Sequence, residues 1–301
     1  MSTWAVCNQK GGVGKTTTAI SIASLVAERG RKTLLIDLDP HASASVYLVG
    51  REEEGAAAGV MQWFSAELDG SAARLDEAAC AAACEETAQP SLAIARATPA
   101  LAALERRAAG REGFGRVLAD AIARLRNRFD AVIIDCPPTL GLLMINALAA
   151  AERVLIPVQT EHLALEGLER MLRTLDMVER SQRRTIGRVV IPTLYDRRTR
   201  ASLLALERLR EEHSSVLWPE PVPVDTRLRD AARAGLPAPL YCPASRAVDV
   251  YRRLLDHLIG ASGSAGAEPE TRPAAGARPR PAAADSPTPA RYSMAAAELR
   301  S

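Results

Sequence analysis

The amino-acid sequence predicts an α/β fold with a doubly wound, mostly parallel sheet and helices on both of its faces. Short aliphatic segments alternate with longer segments of helical character from the N-terminus to about residue 259. The strand segments are continuous apolar runs, which are typical of parallel strands covered on both sides. A glycine-rich turn joins the first strand to the first helix. Together these observations predict a sheet between two helical layers.

The glycine-rich turn is Lys10–Thr17, KGGVGKTT, between a strand at Trp4–Asn8 and a helix that Thr16 opens and that ends near Arg29–Gly30. Such a turn directs backbone N–H groups inward, and with the helix dipole they form a cradle for phosphate. We expect Lys15 to reach the β- and γ-phosphates and the Thr16 hydroxyl to ligate Mg²⁺. The sequence therefore predicts an ATP–Mg²⁺ site. Its binding residues are Gly11, Gly12, Val13, Gly14, Lys15, Thr16 and Thr17.

The turn departs from the common form G-x-x-x-x-G-K-[ST], which requires glycine where this chain has Gln9. A second lysine, Lys10, stands at the start of the turn. This deviant Walker A loop resembles that of the ParA/MinD group of P-loop ATPases. The resemblance implies that Lys10 crosses a dimer interface to the partner subunit's phosphates. ATP is then enclosed between two chains, and the bound nucleotide sets the dimer state.

Two further strands end in carboxylates. Lys32–Asp37, KTLLID, is a predicted buried strand. From Asp37 onward the chain matches the family's usual D-L-D-P-Q, except that His41 replaces glutamine. The resemblance implies that Asp39 orients the attacking water from switch I; a capping role is the alternative. Phe129–Pro138, FDAVIIDCPP, predicts a Walker B strand whose Asp135 holds Mg²⁺ through water. The predicted catalytic residues are Lys10, Lys15 and Asp39, and the predicted metal-holding residues are Thr16 and Asp135.

The rest of the chain continues the alternation of strands and helices. Further strands are expected at Leu92–Ala95, Arg153–Pro157, Gly187–Ile191 and Val216–Trp218. Helices are expected at Gly113–Asn127, Leu142–Ala150, Ala164–Arg180, Ala201–His213 and Ser245–Ile259. Arg51–Gly70 is predicted to be irregular or weakly helical. Residues 261–301 have almost no large aliphatic side chains, so we expect a disordered tail after an ATPase domain at residues 1–260.

Net charge, cysteine content and the lengths of apolar runs bear on nucleic-acid binding, cellular compartment and membrane insertion. The formal net charge of +2 is too small to indicate nucleic-acid binding by itself, so any basic surface must be local. Five scattered cysteines are typical of reduced cytosolic thiols. There is no apolar run of membrane-spanning length, and Tyr292–Arg300 lacks the basic, bulky apolar face of MinD-type membrane helices. We expect a cytoplasmic protein without membrane insertion.

Three segments of the second half align in order with the ParA (Soj-like) branch: Ile156–Met171, Ile191–Leu203 and Val222–Gly235. The resemblance covers residues 3–259. DLDPH, YDRRTRASL and PVDTRLRDA look most like ParA-like ATPases encoded with chemotaxis genes, which place receptor arrays at cell poles. Orthodox ParA proteins carry an arginine at the position of Val224. A chemotaxis-array positioning ATPase is therefore the first functional hypothesis.

Two arginine clusters bear on the second hypothesis, a plasmid or chromosome partitioning ATPase that binds nonspecific DNA. Such arginines can hold phosphates without reading sequence, and a dimer doubles the contacts. The alternative is a solvated face paired with Asp196, Asp225 and Asp230. The candidate DNA-binding residues are Arg197, Arg198, Arg200, Arg227, Arg229 and Arg233.

The third hypothesis is an enzyme that activates a carboxylate with ATP. The first two imply slow hydrolysis stimulated by a protein adaptor, because the site offers positioned charges and no strong general base. They also imply a polar or nucleoid-associated location. An enzyme of the third kind is instead stimulated by a small acid.

Overall fold

The computed structural model describes residues 1–50, 59–71, 75–108 and 113–263. Residues 1–262 form one compact unit, and a second unit spans residues 263–301. Except for residues 261–263, which continue the last helix, the predicted tail lies outside the described residues. The division into domains at residue 260 stays a prediction.

One seven-stranded sheet runs through the described part of the chain, in the order β3-β4-β2-β5-β1-β6-β7. Its strands are β1 Ser2–Val6, β2 Thr33–Asp37, β3 Cys84–Glu86, β4 Leu92–Ala95, β5 Ala131–Asp135, β6 Arg153–Gln159 and β7 Gly187–Thr193. Of these seven strands, the short edge strand β3 alone is antiparallel to its neighbour. The predicted fold class is confirmed.

Helices follow most of the strands. In chain order they are α1 Lys15–Glu28, α2 Ser43–Val49, α3 Gly59–Leu68, α4 Glu77–Ala81, α5 Ala100–Ala108, α6 Val117–Arg124, α7 Leu142–Ala150, α8 His162–Gln182, α9 Arg200–His213, α10 Arg227–Arg233, α11 Ala238–Tyr241 and α12 Arg246–Gly263. Within the described ranges, no helix combines the length and apolarity needed to cross a membrane.

The two faces of the sheet carry separate cores because successive strand residues point to opposite sides. Val6 and Leu35 pack in a cluster that includes residues of α1 and α12. Ala5 and Ile36 belong to a second cluster, which includes residues of α7 and α8. Each fully buried aliphatic side chain contributes about 1.5–3 kcal/mol. Helices on both faces therefore fix the sheet and the loops at its carboxyl edge.

Three predicted elements need correction. Gly59–Leu68, within the segment expected to be irregular or weakly helical, is a regular helix because Trp63 and Phe64 are fully buried in the core; residues 51–58 lie outside the described residues. Val216–Trp218 is not a strand but a single bridge, formed where Leu217 pairs with β7. The helix expected at Gly113–Asn127 covers only Val117–Arg124, after a 3-10 turn.

Candidate nucleotide-binding site

The candidate site lies at the carboxyl ends of three adjacent strands, β2, β5 and β1. The last residue of β1, Val6, is in register with Asp135 on β5, which is in turn in register with Asp37 on β2. The glycine-rich turn follows β1 directly. Open parallel sheets bind ligands at this edge, where helix N-termini and loops converge.

The backbone of the turn explains its glycines. Gly12 and Gly14 have φ angles of 74° and 88°, a left-handed conformation that is strained for residues with a Cβ. Gly14 precedes α1, whose first turn leaves backbone N–H groups free for a ligand. The Thr193 hydroxyl donates a 2.8 Å hydrogen bond to the carbonyl of Val13, so β7 holds the turn in place.

Lys15 is largely buried, with 8% of its surface exposed. Its Nζ donates to the carbonyl oxygen of Lys10 at 3.1 Å, so the ammonium group spans the turn from its end to its start. A largely buried ammonium group with a neutral carbonyl partner can bind an anionic group such as a phosphate more strongly. The structure thus places the Lys15 ammonium group within the turn, and its contact with phosphates stays a prediction.

Asp135 is fully buried, and no described group donates a hydrogen bond of normal geometry to either of its carboxylate oxygens. Burial, followed by repulsion from Asp37, raises the pKa of Asp135 well above its ordinary value. The Thr16 hydroxyl and the Lys15 ammonium oppose this rise in pKa. A buried carboxylate without a partner is costly, and with a nearby threonine hydroxyl it fits the oxygen-rich environment that Mg²⁺ prefers.

Asp37 is a buried residue of the candidate site, beside Asp135, that was predicted from the sequence only as a strand end. Its carboxylate accepts hydrogen bonds from the Ser45 backbone N–H and hydroxyl at 2.9 and 2.8 Å, and from the Asp39 N–H at 3.1 Å. Burial raises the pKa of Asp37 to about 6. Asp37 therefore ties the loop after β2 to the site. The D-x-D spacing was the signal that could have revealed it.

Asp39 lies two residues beyond the end of β2, and its side chain is 14% exposed. Its charge is close enough to both buried carboxylates to contribute to the rise in their pKa values. The ring of His41 contacts its Oδ1 at 2.9 Å. The structure thus places Asp39 at the rim of the site, beside Asp37 and Asp135.

Lys10 does not join Lys15 inside the turn. Its Nζ lies 3.7 Å from Oε2 of Glu161, just before α8, and Glu161 also accepts a 2.6 Å hydrogen bond from Gln159. The side chain of Lys10 is 30% exposed and that of Glu161 is 54% exposed. An ion pair this long and this exposed contributes little stability. Lys10 is therefore readily released from it.

A second feature is a cavity of about 830 Å³ between the segments after β7 and before α10. Five arginines and three aspartates line it, so it is basic overall. The arginines are Arg197, Arg198, Arg227, Arg246 and Arg253. The last two were not predicted from the sequence because α12 brings them in from far along the chain. The other candidates, Arg200, Arg229 and Arg233, do not line the cavity but lie on α9 and α10.

Each of the three aspartates that line this cavity is paired with an arginine that also lines it. Two of the pairs join residues that are two positions apart in the sequence. Arg198 bonds Asp196 at 2.8 Å and Arg227 bonds Asp225 at 2.7 Å. The arginines hold the pKa of both aspartates at about 2. Both arginine side chains are half-exposed or more, so their ion pairs are weak and a phosphate can compete for them.

Comparison with known proteins agrees with these features. A family model described as "AAA domain" matches residues 1–187. The sporulation initiation inhibitor protein Soj of Bacillus subtilis is 35% identical over 248 residues, which cover 82% of this chain and 94% of Soj. The chromosome partitioning protein ParA of Myxococcus xanthus is 34% identical over 250 residues, covering 83% of this chain and 84% of ParA.

Solved structures show the same fold. Cobyrinic acid a,c-diamide synthase from Mycobacterium smegmatis, with a bound ATP analog and magnesium, is 32% identical with a TM-score of 0.72, and the match covers 88% of this chain and 96% of that one. A variant of Cyanothece McdA in complex with ATP has a TM-score of 0.74 at 22% identity, over 86% and 96% of the two chains, which shows the fold alone. This chain belongs to the AAA-domain family and is a ParA/MinD-type P-loop ATPase.

Proposed function

We propose that this chain is an ATP-switched dimer that positions cellular cargo. Two copies enclose ATP and Mg²⁺, and slow hydrolysis, stimulated by a protein adaptor, returns them to monomers. The observation that carries the proposal is Asp135, a buried carboxylate to which no described group donates a hydrogen bond of normal geometry, next to Thr16 and Lys15. The similar structure of cobyrinic acid a,c-diamide synthase, with a bound ATP analog and magnesium, supports the same ligands for this chain.

Residues of the turn and of the neighbouring strand ends have separate roles in ATP binding and hydrolysis. Lys15 exchanges the carbonyl of Lys10 for the β- and γ-phosphates, which offer a stronger, charge-assisted bond. Thr16 and Asp135 would hold Mg²⁺, Asp135 through water. The bound ion would supply positive charge that neutralises the phosphates. Asp39 accepts a hydrogen bond from the attacking water and orients it. Turnover is slow because catalysis rests on positioning rather than on a strong base.

Dimerisation rests on Lys10. Its weak, exposed pairing with Glu161 leaves the ammonium group free to be taken up by the phosphates of a partner subunit. ATP thereby supplies charge that joins the two chains. ADP lacks the terminal phosphate, so the closed dimer loses part of that attraction after hydrolysis. The nucleotide then sets the dimer state.

The cargo proposed first is a chemotaxis array at a cell pole. The support is the sequence of three segments, DLDPH, YDRRTRASL and PVDTRLRDA. The second candidate is a plasmid or chromosome. Its support is the similarity to the chromosome partitioning protein ParA of Myxococcus xanthus and the basic cavity, where Arg198 and Arg227 can exchange aspartates for DNA phosphates. In this second case the dimer binds nonspecific DNA more tightly than the monomer because it presents the arginines twice.

The third candidate is a carboxylate-activating enzyme. Its support is the similarity to cobyrinic acid a,c-diamide synthase from Mycobacterium smegmatis. If the chain is such an enzyme, a small carboxylic acid stimulates ATP hydrolysis, and DNA or protein adaptors do not. The comparison needs only the purified chain, ATP and each potential activator in turn.

The location of a fluorescent fusion in the native host tests the positioning function. Polar foci support the array, and a signal spread over the nucleoid supports DNA partitioning. Lys15→Ala is the matched control, since it removes ATP binding and both patterns should then become diffuse. A wild-type signal that is as diffuse as that of Lys15→Ala contradicts a positioning function of either kind.

A further inference from the structure

The loop after β2 makes a tight turn around Asp39. The N–H of Ala42 donates a 2.7 Å hydrogen bond to the carbonyl of Asp39, and Ala42 has a φ angle of 53°, which is uncommon for a residue with a Cβ. Pro40 and His41 occupy the middle of this turn. The backbone geometry therefore brings residue 41 back against the side chain of Asp39.

His41 makes two hydrogen bonds to the Asp39 carboxylate, and both go to the same oxygen. The backbone N–H donates to Oδ1 at 3.0 Å, and the ring Nδ1 contacts Oδ1 at 2.9 Å. Because a carboxylate only accepts, Nδ1 carries the proton of this bond. No residue in the described part of the chain donates a hydrogen bond to Oδ2.

The backbone and the carboxylate of Asp39 are thus held by different residues. Asp37, from the buried pair with Asp135, fixes the backbone through the 3.1 Å bond to the Asp39 N–H. Among the residues that the structure describes, His41 alone fixes the carboxylate. The His41 side chain is 82% exposed, so it does not serve the core, whereas the Asp39 side chain is only 14% exposed.

We propose that His41 is a positioning residue for ATP hydrolysis. Its imidazole holds Oδ1 of Asp39, so that Oδ2 is presented in one orientation to the attacking water. The inference rests on the proposed ATPase function and on the role given there to Asp39. Without the imidazole, only the backbone N–H of His41 still holds Oδ1. The carboxylate then spends less time in the productive orientation, which lowers the hydrolysis rate without changing ATP binding.

The chemistry of the side chain makes the inference specific. The D-L-D-P-Q pattern has glutamine at position 41, and a glutamine amide can donate the same hydrogen bond that the imidazole donates. Alanine cannot donate it, and phenylalanine keeps a ring of similar size without a donor. His41→Gln, His41→Ala and His41→Phe therefore separate the hydrogen bond from the bulk of the ring.

Single-turnover ATP hydrolysis and equilibrium ATP binding are measured for the wild type and the three variants. We expect His41→Ala and His41→Phe to slow hydrolysis by about three- to tenfold, the effect of one net hydrogen bond. His41→Gln should stay within about twofold of the wild type. ATP affinity should be unchanged in all three. His257→Ala, which removes another exposed histidine at α12, is the control and should hydrolyse normally.

Three results would overturn the inference. Wild-type rates in His41→Ala and His41→Phe would remove any positioning role, and a His41→Gln rate as low as that of His41→Phe would show that the donor is not the cause. Loss of ATP affinity in the His41 variants would assign His41 to binding instead. A wild type that does not hydrolyse ATP at all would overturn the proposed function and this inference with it.

Discussion

Asp37 and Asp135 are register partners at the carboxyl ends of neighbouring parallel strands, so two buried carboxylates lie side by side. Of the two, Asp37 is satisfied by hydrogen bonds, mainly from Ser45. Burying two like charges is unfavourable unless a cation compensates them. The pair therefore lowers the free energy of unfolding of the ligand-free protein, and it does so at the point where the proposed Mg²⁺ binds.

The first prediction concerns the pH dependence of stability without nucleotide or Mg²⁺. Burial raises the pKa of Asp37 from 3.8 to about 6. Over that window the folded state keeps a proton that the unfolded state has lost, so the contribution of Asp37 to the free energy of unfolding falls as pH rises. It is fully present below pH 3.8. Urea unfolding of the wild type and of Asp37→Asn, compared from about pH 4 to about pH 8, measures it. A wild-type contribution that grows with pH would contradict the buried environment.

The second prediction concerns Asp135→Asn. The substitution replaces one of two neighbouring carboxylates with a neutral amide. It should therefore stabilise the nucleotide-free protein at about pH 8 by about 1 kcal/mol or more. The same change should abolish the effect of Mg²⁺ on ATP affinity. Thermal unfolding and ATP binding with Mg²⁺ or EDTA test both parts. Asp120→Asn, an exposed carboxylate, is the control. Unchanged Mg²⁺ dependence would exclude Asp135 from the metal site.

The site could be predicted from the sequence better than its surroundings. Lys15, Thr16 and Asp135 follow from local patterns, because a strand, a turn and a helix carry them in fixed order. Asp37 escaped notice because its hydrogen bonds come from Ser45, a residue on the next helix. A local pattern does not reveal a partner that only the folded loop brings close.

The errors outside the site have the same cause. Gly59–Leu68 has an ordinary local sequence, but its helix is stabilised by Trp63 and Phe64, which contact the distant core. Arg246 and Arg253 reach the basic cavity because α12 packs along α1, where Tyr251 bonds the Thr18 hydroxyl at 2.9 Å. These features depend on contacts between residues that are far apart in the sequence, and a pattern within one segment does not reveal such contacts.

The third prediction concerns Lys15→Ala. ATP affinity should fall by at least about tenfold, because hydrogen bonds to charged groups are each worth about 1.5–3 kcal/mol. Equilibrium binding of a fluorescent ATP analog measures the loss. Lys32→Ala, an exposed lysine just before β2 and at the other end of that strand, should bind normally. Wild-type affinity in Lys15→Ala would mean that the turn does not bind phosphate.

The fourth prediction concerns the basic cavity. Arg198→Glu combined with Arg227→Glu should abolish DNA retention by the ATP-bound protein, because each change replaces a phosphate contact with a repulsive charge. ATP affinity should persist. Wild-type retention should also fall steeply with salt. Arg126→Glu with Arg208→Glu, two exposed arginines outside the cavity, is the control pair. If the ATP-bound wild-type protein does not bind nonspecific DNA at low salt, the partitioning candidate is contradicted.

The fifth prediction tests the central claim, that ATP joins two chains through Lys10. Molar mass is measured by light scattering with a nonhydrolysable ATP analog and Mg²⁺. The wild type should shift from 32.2 kDa to twice that mass. Lys10→Ala should bind the analog and remain at 32.2 kDa, because its ammonium no longer reaches the partner's phosphates. A wild type that stays monomeric with the analog bound, or a Lys10→Ala protein that dimerises normally, would contradict the account.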